Sequence, residues 1–136
     1  MKLAHNAHVA LLDGQSFTLF RNEGQIFEPK LVEVDKPDLE ATNFSAGVRH
    51  QDSGRKPDST DLEELAHGAA AAEWLNAEAI AGNIEALLII ADPKTLGEMR
   101  HHYHVELKQL LTGEIDKTLT GQTTDKIEAA IAAAEQ

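Results

Sequence analysis

No cysteine occurs anywhere in the chain, which excludes disulfides, thiolate catalysis and cysteine-ligated zinc, and fits a reducing compartment. Aromatic residues are scarce at 4 %, and Trp74, Tyr103 and the phenylalanines are too scattered for a stacking platform, so core packing is their expected role. No apolar run approaches the roughly 20 residues that span a bilayer, and the opening MKLAHNAHVALLDG lacks the apolar core and cleavage site of a secretory signal. The expectation is a cytoplasmic protein with no membrane insertion. Positive charge is also short: 12 Lys and Arg face 23 Asp and Glu, and the net charge of −11 repels polyanions except where basic residues gather. There is no Gly-rich nucleotide loop, no nucleophile elbow, no zinc-protease helix and no solenoid-length repeat.

What is present reads as one α/β domain over residues 1–136, a length at which folding buries about two-thirds of the unfolded chain's surface. Residues 87–91 (LLIIA) form an unbroken apolar run, as expected of a strand covered on both faces. Asp92 can cap the next helix and Pro93 suits its first position, where a missing N–H costs nothing. Leu96, Met99, Tyr103, Leu107 and Leu110 then recur at helical spacing, which predicts one helix running to a glycine stop at Gly113. A short strand around Ile115 and Leu119 follows, then a final helix capped by Thr123 or Thr124 with Ile127, Ala130, Ile131 and Ala134 on one stripe. In the N-terminal half, HVALL and FTLF flank Asp13-Gly14 and predict a β-hairpin, and Leu31, Val32 and Val34 suggest a third strand stopped by Pro37. Residues 40–59 are polar and lack periodicity, a long loop of the functional or disordered kind. The Thr60-to-Glu63 capping box opens an alanine-rich helix reaching about Gly82, whose small side chains allow close packing on a sheet. The sum is a three-layer α/β fold: a mixed sheet of about four to five strands, opening with a hairpin, with helices on both faces.

Three groupings invite a chemical reading. His101, His102 and His104 suggest imidazole ligands, but on a helix His102 points about 100° away from His101, so at most two could share a metal, and none is assigned. Asp13 and Asp92 each end an apolar strand, and if those strands are parallel neighbours the two carboxylates could approach and hold a divalent cation. Turn and cap chemistry is the better account of both, so neither is assigned catalysis and no cofactor is implied. Arg49, His50, Arg55 and Lys56 gather positive charge in the polar loop beside Asp52 and Asp58, and Lys94, Arg100 and Lys108 add a modest basic helix face.

Pro93, Thr95, Leu96, Gly97 and Arg100, then His104, then Glu114, Ile115, Lys117, Leu119 and Thr120 follow a P-x-T-L-G-x-x-R…H…E-I-x-K-x-L-T pattern. Asp13-Gly14, Leu19-Phe20-Arg21 and the stretch from Gly54-Arg55 to Asp58-Ser59 extend the likeness over nearly the whole chain. In these residues the chain resembles the bacterial host attachment proteins, and the resemblance implies an indirect role in attachment of a bacterium to host cells. The element order is also similar to the middle domain of archaeo-eukaryotic peptide-chain release factors, in which a loop before the long helix carries a Gly-Gly-Gln motif for peptidyl-tRNA hydrolysis. Here that loop reads SAGVRHQDSGRKPDS, without Gly-Gly-Gln, and Gly14-Gln15 and Gly121-Gln122 lie elsewhere. The resemblances imply a non-enzymatic partner-binding domain, contacting a protein partner through Arg49, Arg55, Lys56, Asp58, Arg100 and His104. The alternative they imply is a release-factor-like module acting at the ribosome or on tRNA.

Overall fold

Five residues, Leu87–Ala91, are wholly shut off from solvent, and the fold is arranged around them as strand β4. The computed structural model describes residues 1–36, 39 and 59–134, and the side chains of the first turn at 59–61 are not described. Ahead of β4 come β1 (His8–Leu12), β2 (Phe17–Asn22), β3 (Leu31–Val34) and the long helix α1 (Ser59–Ala81). After it come α2 (Pro93–Arg100), α3 (Val105–Leu110), β5 (Leu111–Asp116) and α4 (Thr124–Ala133). The strands form one mixed sheet in the order β3-β2-β1-β4-β5. β1 pairs antiparallel with β2 across the Asp13-Gly14 turn and parallel with β4, and β4 pairs parallel with β5.

Alternation along the strands divides the core in two. Ala10, Leu12, Leu87, Ile89 and Ala91 face a layer made by α1, α2 and α3, where Ala71, Ala72, Leu75, Leu96, Met99 and Leu107 are buried. Val9, Leu11, Leu88, Ile90 and Ile115 face the other way, onto Ile127 and Ile131 of α4 and Leu3 of the N-terminal segment. Helices therefore cover both faces, as the three-layer reading required. Each fully buried Leu or Ile contributes roughly 1.5–3 kcal/mol over its exposed state, so β4 alone is a large share of the core.

Local signals near β4 set the elements as expected. The Asp92 carboxylate accepts from the Thr95 N–H at the start of α2, and Thr123 does the same for Lys126 at the start of α4. Gly82, with φ at +82°, ends α1 in the left-handed conformation that glycine adopts without penalty. One expectation fails: the predicted single helix to Gly113 is two helices with a corner at His101–His104. Asn76 of α1 causes the break, donating to the His102 carbonyl at 2.7 Å and accepting from the His104 N–H at 2.9 Å. His104 then restarts the helix, its Nδ1 accepting from the Glu106 N–H. Gly113 stops nothing; it sits inside β5 opposite Leu88, and a side chain there would press on Met1. The strand begins at Leu111, earlier than its apolar marker Ile115 suggested, and leaves out Leu119. Of the polar loop assigned to 40–59, residues 40–58 lie outside the described residues and Ser59 already belongs to α1.

A second asparagine anchors the other end. Asn22 is fully buried, donates to the Leu3 and Ala4 carbonyls, and accepts from the Gly24 and Lys30 N–H groups. Through it the N-terminal segment and the β2–β3 turn become one unit. Asn22→Ala should lower stability by about 2–4 kcal/mol, because buried carbonyl and N–H groups lose their partners. A fall in the urea midpoint with unchanged slope checks this.

Candidate functional site

Because β1 and β4 are parallel neighbours, Asp13 and Asp92 do stand together at the carboxyl edge of the sheet, where open α/β folds bind ligands. Helices α1 and α2 start there as well. Gly14 lets α1 lie against the β1–β2 turn, since a β-carbon at that position would come within 2.5 Å of the Glu64 side chain. Lys94, at the head of α2, reaches Glu64 at 2.9 Å and so ties the two helix starts. β3 also runs toward this edge, being parallel to β1 through β2, so the segment between β3 and α1 leaves from it and returns to it.

The carboxylates at the edge are occupied by their own chain. Asp13 accepts through Oδ1 from the Gln15 and Ser16 N–H groups and the Ser16 hydroxyl, and through Oδ2 from the Thr120 hydroxyl at 2.8 Å. Burial pushes the Asp13 carboxyl upward, but these hydrogen bonds outweigh it and hold it below the usual carboxylate range. A group held ionised with its lone pairs filled is a poor general base. Asp92 spends Oδ2 on its cap, and its buried Oδ1 has no hydrogen-bond partner among the described residues. No three His, Cys, Asp or Glu side chains among the described residues are grouped to hold a metal.

Of the residues singled out from sequence, Arg49, Arg55, Lys56 and Asp58 lie outside the described residues. Arg100 and His104 are brought together at the α2–α3 corner, at the far end of α2 and about 10 Å along its axis from Pro93. Both are engaged internally. Arg100 donates twice to Glu114 Oε1 of β5, at 3.1 and 2.7 Å, while the Tyr103 hydroxyl donates to Oε2 at 2.7 Å. Burial and this hydrogen bond together raise the Tyr103 pKa, keeping the hydroxyl a donor. Burial alone would raise Glu114; the hydrogen bonds from Arg100 and Tyr103 and the Arg100 charge bring it below its ordinary value. His102 stands between carboxylates, 2.9 Å from Glu98 and 3.7 Å from Glu73, while His104 Nδ1 accepts from the Glu106 N–H, so these two histidines face different partners.

The edge thus brings the end of β3 and the start of α1 to one side of the sheet, and the corner acts as a clasp between α2 and β5. A family model described as bacterial archaeo-eukaryotic release factor family 12 matches residues 6–131. The chain belongs to that family. The match runs from just ahead of β1 into α4, so it covers the sheet, both helical layers and the segment between β3 and α1. No curated protein matches the sequence. Membership agrees with the likeness in element order to release factors, and the family's name carries no reference to attachment. Sequence reasoning missed Asn76 and Tyr103 as positioning groups; Arg100, Glu114 and Thr120 stood in the quoted motif, but no contact was assigned to them.

Glu114 and Asp13 have depressed folded-state pKa values, so their stabilisation is complete above the unfolded range near pH 4 and is lost as pH falls through the folded values. His8 adds to acid sensitivity at higher pH: burial and the neighbouring Arg21 lower its pKa, so stability drains as pH falls below about 6.5. Glu114→Gln should cost about 1–2 kcal/mol at neutral pH and flatten the part of the acid-unfolding curve below pH 4, leaving the His8 part in place. Urea midpoints measured from pH 7 to pH 3 on both proteins check it.

Proposed function

We propose that this domain is a release-factor-related binding module that acts at the ribosome or on tRNA without hydrolysing peptidyl-tRNA. The observation that carries the reading is positional. In a chain of this family, the described residues that flank the segment between β3 and the long helix, the segment that in release factors bears Gly-Gly-Gln, lie at the carboxyl edge, where Gly14, Glu64 and Lys94 also meet. Here that segment contains Arg49, Arg55, Lys56 and Asp58 and no Gly-Gly-Gln. The Gly14-Gln15 dipeptide is turn backbone, with the Gln15 N–H donating to Asp13. Gly121-Gln122 follows Thr120, whose hydroxyl holds the same carboxylate. Basic side chains on an otherwise acidic domain give a polyanion an admissible approach. Arg100 and His104 would serve as secondary contacts through the donor capacity their internal bonds leave over. An effect on attachment to host cells would then be indirect, through what the cell translates.

No helix among the described residues is long and apolar enough to cross a membrane, so membrane insertion through such a helix has no support there. The reading is tested by sedimentation of cell extract at low salt. The protein should co-migrate with ribosomes and leave them as salt rises, and joint replacement of Arg49, Arg55 and Lys56 by alanine should reduce the bound fraction several-fold without altering thermal unfolding. Absence of co-migration from the wild-type extract would reject it.

A further inference from the structure

We draw no further inference here: the strongest candidate, the exposed apolar patch of Ile26 and Phe27 at the turn from β2 to β3, carries no excess of positive charge once Glu33 and Glu128 are set against Lys2 and Lys30, and nothing in the structure shows what covers it.

Discussion

The rest of the molecule depends on covering β4 from both sides. A strand with no exposed side chain is stable only between two apolar layers, and its backbone groups need a strand on each edge. β1 and β5 supply the edges, both parallel to it. Parallel pairing in turn demands crossovers, and the long α1 and the α2–α3 pair are those crossovers, both carrying buried residues in the same core cluster. The opposite face is left to α4 and the N-terminal segment, the two parts furthest apart in the chain. Their meeting is completed by the Met1 ammonium, which donates to the Ile131 and Ala134 carbonyls at the end of α4, where a positive charge complements the helix dipole.

Two buried or nearly buried asparagines then decide where regular structure stops. Each uses both ends of its amide, Asn22 on the N-terminal segment and the β2–β3 turn, Asn76 on the α2–α3 corner. A buried amide bonded at both ends is specific to one geometry, because any slip leaves it unsatisfied at a cost of about 1–3 kcal/mol per group. The outer edge of the sheet is treated similarly. The Leu31 N–H of edge strand β3 donates to Glu128 of α4 at 2.7 Å, so a carboxylate from 97 residues away occupies a group that another strand could pair with.

How much of this was legible follows from how local each cause is. β4, the Asp92 cap, Pro93, the Asp13-Gly14 turn and the Gly82 stop were readable because each depends on residues within one turn of itself. The break at His101–His104 was not, because the run from Leu96 to Leu110 keeps helical spacing and the amide that interrupts it comes from α1. Gly113 carried a true signal for the wrong reason: a glycine after apolar positions reads as a helix stop, but here it follows a helix that has already ended at Leu110. Phe27 escaped because exposure is set by how the β2–β3 turn is tied down, which composition does not report. Of the candidate site, the placing of Asp13 and Asp92 at one edge follows from strand order, and sequence alone could only state it as a condition.

The residues that carry the motif turn out to be those that close the fold. Pro93 starts α2, Thr95 receives the Asp92 cap, Leu96 fills the core, Arg100 clasps Glu114, His104 restarts the chain as α3, Ile115 packs beneath α4, and Thr120 holds Asp13. A pattern built from caps, clasps and core positions identifies an architecture, because its members are constrained by one another and not by a substrate. That is why the chain can belong to a release-factor family although the sequence between β3 and α1 contains no Gly-Gly-Gln. Function on such an architecture must be sought in groups that folding leaves unused.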